Sequence, residues 1–411
     1  MNILFLSLTS YNSVNQRNIY TDLIRQFVAD GHKVYAVCPA QKRLNTPTTL
    51  ITENNAHILR VRTGNITNVG LIEKGISTLL IGYQFIYAIK KHFVDVAFDM
   101  ILYPTPPITL ASVVKYFKRK HNAKTYLMLK DIFPQNAVDI GMMTKIGPKS
   151  VIYKMFRKKE EELYKVSDYI GCMSQANVDY LLKHNPYIPP EKVHINPNSI
   201  EVEEYTKDYE TITEIKKKYN IPANATTFIY GGNLGRPQGI PFLIDCLRAN
   251  ADKPDRFFIL CGSGTEYGKL KKYLDDEKPS NVLLISRLPK EEYEVFVKAF
   301  DVGLIFLDHR FTIPNFPSRL LSYMQSRMPV LACTDPNTDI GKVIVEGGFG
   351  WWCESNSVEK FKEAVDLATK ETLEQMGDRG YDYLKSHYTA KQSADIIYMH
   401  MEEKIPDYTK Q

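Results

Sequence analysis

No stretch of the chain approaches the ~18 consecutive apolar residues of a membrane-spanning helix. The amino terminus also lacks the charge pattern of a signal peptide. Both absences point to a cytoplasmic protein. Six cysteines (Cys38, Cys172, Cys246, Cys261, Cys333, Cys353) never fall at C-x-x-C spacing. That excludes a zinc ribbon and a disulfide scaffold and leaves reduced core thiols. Internal repeats and low-complexity tracts are missing too. No DNA- or RNA-binding motif accompanies the basic residues, so nucleic acid is not an expected partner.

What is present is an ordinary globular composition, 44% apolar and 24% charged, over 411 residues. At about 150 residues per domain this is two to three domains. The net charge of +5 is unevenly spread. Residues 1–205 hold 25 Lys/Arg and 17 Asp/Glu, whereas residues 206–411 hold 27 and 30. A basic first half suits a negatively charged partner, such as anionic lipid or a phosphorylated acceptor. The densest clusters run from Lys115 to Lys120 and from Arg157 to Lys159.

Short apolar runs alternate with helical patterns. Strands are predicted at 2–8, 33–38, 58–61, 100–103, 124–129, 169–173 and 193–195. A helix from Asn18 to Asp30 ends at Gly31. Four prolines between Pro186 and Pro197, then the acidic run Glu201-Val202-Glu203-Glu204, place a linker at about 198–206. A second series follows, with strands at 227–230, 257–260, 282–285, 302–306, 330–332 and 350–352. The pattern predicts two doubly wound α/β domains, 1–202 and 203–388. A last helical stretch, 389–411, is expected to cross back to the first domain. Two such facing domains would hold a ligand in the cleft between them, at the carboxyl ends of their strands.

The most informative segment follows the apolar run Thr227-Phe228-Ile229. It reads Tyr230-Gly231-Gly232-Asn233-Leu234-Gly235-Arg236-Pro237-Gln238-Gly239. Glycines let backbone N–H groups approach phosphate oxygens, and arginine adds a fixed cationic fork. Three other stretches join it: Lys130-Asp131-Ile132-Phe133-Pro134-Gln135-Asn136, Cys261-Gly262-Ser263-Gly264 with Arg287-Leu288-Pro289, and Asn315-Phe316-Pro317-Ser318-Arg319-Leu320-Leu321-Ser322-Tyr323-Met324. In order and spacing these resemble the GT-B retaining glycosyltransferases of family 4, in the bacterial capsule and O-antigen branch. The resemblance runs nearly end to end.

It implies an amino-terminal acceptor domain and a carboxyl-terminal nucleotide-sugar domain, both Rossmann-like. It implies transfer, with retention, of a hexose or N-acetylated amino sugar from a nucleotide diphosphate, UDP being favoured, to a lipid-linked glycan at the inner leaflet. The donor residues it implies are Gly232, Asn233, Gly235, Arg236, Gln238, Gly262, Ser263, Leu288, Pro317, Ser318, Arg319 and Ser322. On the acceptor side it implies Asp131 as the catalytic carboxylate, with Asn15, Gln16, Arg17 and Thr105 as contacts. No Asp-X-Asp triplet occurs, and a hard divalent ion commonly needs such carboxylates. No metal or cofactor is therefore expected.

This chain departs from the family in three places, the first being the loop from Thr9 to Arg17, which lacks the family's paired glycines. The arginine and lysine that often hold the diphosphate, five residues apart, are Asn233 and Gln238 here. Arg236 and Arg319 are expected to replace them. The usual two glutamates, eight positions apart, are Pro314 and Ser322. The missing glutamates and lysine keep open a catalytically silent GT-B assembly partner, and the shared two-domain fold keeps open a sugar-nucleotide epimerase. Residues 71–93 are apolar at 72, 76, 79, 80, 83, 86 and 89 with Lys90-Lys91 at the end, a helical spacing that fits a core-packed or a membrane-interfacial helix.

Overall fold

A computed structural model describes residues 1–65, 71–204 and 207–402. The chain divides into two compact units: Met1–Glu201 with the described residues from Thr389 onward, and Val202–Tyr388.

The first unit is built on eight strands: β1 (Asn2–Leu6), β2 (Lys33–Gln41), β3 (Thr49–Glu53), β4 (Ala56–Thr63), β5 (Met100–Pro104), β6 (Lys124–Leu129), β7 (Tyr169–Cys172) and β8 (Val193–Ile195). Their order is β3-β4-β2-β1-β5-β6-β7-β8. All neighbours are parallel except β3, which pairs antiparallel with β4. β3 is absent from the sequence-based expectation. It is a half-exposed edge strand, so it lacks the apolar run of a strand buried on both faces. The first helix, Ile19–Ala29, is capped by Asn18, whose side chain accepts from the N–H groups of Tyr20 and Thr21 at 2.9 and 3.1 Å. The chain then turns at Gly31. The helix Ala390–Glu402 packs against that first helix. It buries Ala394 and Ile397 with Phe27 and Phe5 in one core, and Tyr398 donates to Asp30 at 2.9 Å.

The helix Leu71–His92 is present, and of its expected apolar stripe Ile89 is buried while Leu80 and Tyr83 are exposed. Ile81, Phe85 and Ala88 are also buried. The side chains at 72, 76 and 79 lie outside the described residues, as do residues 205–206 of the expected linker. The helix is apolar on more than one side, so its spacing alone admits either stripe.

The second unit holds β9 (Thr226–Asn233), β10 (Arg256–Ser263), β11 (Val282–Ile285), β12 (Val302–Phe306), β13 (Val330–Thr334) and β14 (Gly350–Glu354). All are parallel, in the order β11-β10-β9-β12-β13-β14. Phe228, Tyr230, Phe258, Leu304 and Phe306 line its core. The order reverses between β9 and β12. In doubly wound sheets this switch point is where the carboxyl ends of the strands leave a crevice for ligands.

Candidate active site

The glycine-rich segment occupies this switch point. β9 and β10 pair to their last residues, with Gly232 opposite Gly262 and Asn233 opposite Ser263. A Cβ on Gly262 would stand 1.9 Å from the Gly232 carbonyl oxygen, so only glycine permits that approach. Gly232 has φ +126°, a conformation that L side chains rarely adopt. Leu234 N–H donates to the Ser263 carbonyl at 2.9 Å, and Glu266 N–H donates to the Leu234 carbonyl at 2.9 Å. Backbone hydrogen bonds thus hold the two loops to each other.

Arg319 opens the helix Arg319–Gln325 and reaches this loop. Its guanidinium carbon lies 4.3 Å from the ring centre of Tyr230, a cation–π distance. A Cβ on Gly232 would come within 3.4 Å of its Nη2. No carboxylate of the described residues pairs with it, and its Nη1 is buried with no hydrogen-bond partner among them. Two further tyrosines complete its surroundings. Tyr323, four residues along the same helix, is fully buried. Its hydroxyl accepts from Gly231 N–H at 3.3 Å and lies 3.2 and 3.1 Å from the carbonyl oxygens of Ile229 and Leu304. Tyr293, on the helix Lys290–Val297, has its hydroxyl where a Gly231 Cβ would be, 1.7 Å from that position. Burial pushes the Tyr323 phenol up to about 12, against the pull of the Arg319 charge.

Other donor-side positions fall differently. Gln238 Oε1 accepts from Asn233 Nδ2 at 3.0 Å and from Gly235 N–H at 3.2 Å. The two neutral residues at the family's cationic positions therefore satisfy each other and brace the loop. Arg236 is 55% exposed and lies 3.8 Å from Glu266. Ser263 is exposed, and Gly262 is buried. Leu288 is half-buried, in the loop between β11 and the helix Lys290–Val297. Pro317 and Ser318 accept from the N–H groups of Leu320 and Leu321 through their carbonyls. The Ser322 carbonyl accepts from Ser326 N–H, and its side chain is half-buried.

In the first unit the expected residues also follow strand ends. Thr105 is buried after β5. Its hydroxyl accepts from the N–H groups of Lys130 and Asp131 at 3.0 and 3.1 Å and donates to the Asp131 carbonyl at 3.0 Å. Both carboxylate oxygens of Asp131 lie 2.9 Å from Asn136 Nδ2. Burial raises this carboxyl to about 6, opposed by the Ile132 N–H and the Asn136 amide. Burial also lowers the neighbouring Lys130 to about 7, opposed by Cys172. After β1, Gln16 Oε1 accepts from Asn12 N–H at 2.8 Å, and Asn15 N–H donates to Ser13 Oγ at 3.0 Å. Arg17 donates to the Glu201 carbonyl at 2.6 Å. Asn15, Gln16 and Arg17 are thereby tied into the unit's own loops.

The family described as Glycosyl transferases group 1 matches residues 211–383, which contain the whole switch-point site. Over residues 211–383 the chain is similar to a group 1 glycosyltransferase domain. This makes the chain a transferase, and its architecture is the GT-B fold. Over 321 residues the chain is 24% identical to "Probable glycosyltransferase WbjE" of Pseudomonas aeruginosa, covering 78% of each. Over 246 residues it is 18% identical to "Putative colanic acid biosynthesis glycosyl transferase WcaI" of Escherichia coli, covering 60% of each. The crystal structure of Anabaena HepE in complex with UDP-glucose superposes with a TM-score of 0.68 at 14% identity, over 97% of this chain and 100% of that one. In the group 1 domain, sequence reasoning singled out Arg319 and the glycines but missed Tyr230, Tyr293 and Tyr323. The spacing of Arg319 and Tyr323, one helical turn apart, was a signal for one of the three.

Proposed function

We propose that this glycosyltransferase moves a hexose or N-acetylated amino sugar from a uridine diphosphate donor to a lipid-linked glycan, with retention, in surface polysaccharide assembly on the cytoplasmic side of the membrane. One observation carries the donor reading: Arg319, a guanidinium with a buried, unpartnered Nη1 beside Gly232 at the switch point. A buried charge without a counter-ion is costly unless something pairs with it. A diphosphate supplies that partner, and the exposed Arg236 adds a second cation at the loop. The complex of HepE with UDP-glucose supports the sugar nucleotide, and the name of WcaI supports the polysaccharide context.

In the reaction the bond from the sugar's anomeric carbon to the diphosphate oxygen breaks. The acceptor oxygen bonds that carbon on the same face, and its proton passes to the departing phosphate. Arg319 stabilises the charge that develops on the leaving group, in place of a metal ion. Asp131, ionised above about pH 6, stabilises the cationic sugar or orients the acceptor hydroxyl.

Isothermal titration without added metal tests this. Wild-type protein is expected to bind UDP more tightly than GDP. Arg319→Ala should weaken UDP by about 1.5–3 kcal/mol, the worth of a charge-assisted bond, at unchanged melting temperature. Unaltered affinity would remove Arg319 from the site. A protein that binds neither nucleotide would be the silent assembly partner.

A further inference from the structure

Residues 74–159 contain fifteen Lys/Arg and only four Asp/Glu. The stretches 74–94, 100–130 and 140–159 contain no acidic residue at all. They supply most of three helices that pack side by side in the first unit: Leu71–His92, then Ala111–His121, then Ser150–Val166, whose later turns carry Glu160, Glu161 and Glu162 paired with Arg157 and Lys159.

Their outward sides are not simply polar. Leu80, Tyr83 and Tyr87 form an exposed stripe at helical spacing on the first helix, with Tyr83 at 74% exposure. Tyr116 continues it on the second, and Lys90 Nζ of the first helix lies 5.7 Å from the Tyr116 ring centre. A cavity of about 500 Å³ opens there among Ser112, Lys115, Tyr116, Arg119 and Lys120. On the third helix Val151, Ile152 and Met155 are exposed, and the turn before it projects Ile146 at 82% exposure. Lys149, Lys154 and Lys158 stand exposed among them.

Exposed aliphatic and aromatic side chains in one region mark an interaction surface. Lysines around them select what it meets. Nucleic acid would use the charge but leave the aliphatic knobs in water. A second copy of the same face would bring like charge against like charge. A bilayer with anionic headgroups accepts both features, since apolar side chains enter the acyl boundary while lysine stems run along it and their ammonium groups stay at the headgroups. We propose that this three-helix face docks on an anionic lipid bilayer, with Ile146, Val151, Ile152 and Met155 entering it and the surrounding lysines meeting the headgroups. The surface stands on the first unit alone and does not rest on the donor reading, although docking would bring the enzyme to a lipid-linked acceptor.

Co-sedimentation of the full chain with vesicles tests this. Binding to vesicles containing phosphatidylglycerol, weak binding to phosphatidylcholine alone, and loss of binding with added salt are expected. Lys149→Glu, Lys154→Glu and Lys158→Glu combined should lower partitioning on the order of tenfold or more. Ile146→Ser with Val151→Ser should lower it while leaving the salt dependence in place. All five positions are exposed, so an unchanged melting temperature confirms that the variants fold. Equal binding to both vesicle types, no binding, or variants that bind like wild type would overturn the proposal. So would release by inorganic phosphate at constant ionic strength, which would assign the basic cavity to a soluble anion, or a dimer in light scattering that these substitutions dissociate. UDP titration of the same variants reports on the second unit separately.

Discussion

Arg236 and Arg319 carry the same charge and come from neighbouring motifs, yet the structure treats them differently. Arg236 is exposed near Glu266, whereas Arg319 rests on Tyr230 with a donor left unpaired. Removing each should therefore give unequal results. Arg236→Ala is expected to weaken UDP by less than about 1 kcal/mol, as for an exposed ion-pairing group, and titration beside Arg319→Ala measures the difference. Asp131 offers a second test through pH. Its carboxyl is raised from 3.8 to about 6 by burial. Between these values the native state holds a proton that the unfolded chain releases, so stability falls as pH rises through the window. Turnover, which needs the carboxylate, should fall as pH drops below about 6. Asp131→Asn is expected to lower turnover about a hundredfold with donor affinity retained, and to flatten both pH dependences. Steady-state rates and melting curves across pH 4–8 check this. An Asp131→Asn enzyme with wild-type rates would reduce the residue to a partner of Asn136.

At the scale of elements, the site depends on how strand ends meet helices. Tyr323 sits beneath the switch point, where its hydroxyl satisfies Gly231 N–H between β9 and β12. Tyr323→Phe keeps the ring and strands that N–H, so it should cost about 1–3 kcal/mol, the penalty of a buried unsatisfied donor. Chemical denaturation measures it. UDP affinity should fall as well, because the glycine loop loses its tether. Gly232→Ala is expected to be worse for binding than for folding, since its strain falls on the residue facing Arg319. Most elements of both sheets were legible in the sequence, because a strand buried on both faces is a short apolar run whatever surrounds it. β3 was not, being an edge strand with few buried side chains. The helix Leu71–His92 was legible as a helix but not in orientation, because neighbours distant in sequence choose which of its apolar sides is covered.

Over the whole molecule, the chain returns at Thr389 to the unit it began. Ile397 is fully buried there among residues from β1, β2 and the first helix. Ile397→Ala should cost about 2–5 kcal/mol and lower the melting transition of the first unit, while UDP binding at the second persists. Differential scanning calorimetry with and without UDP separates the two. A single transition shifted equally for both units would show that they unfold together.

By itself the sequence determined the two α/β series, the glycine-rich strand exits and the imbalance of charge, since each is written in local periodicity and composition. The tertiary structure decided which cation stands unpaired and which polar residues are already satisfied. Asn233 and Gln238 find each other across a turn. Arg319 meets Tyr230 from a helix nearly ninety positions away, and Tyr293 fills the space that Gly231 leaves. Pairing and burial are properties of neighbours in space, and only folding sets those neighbours.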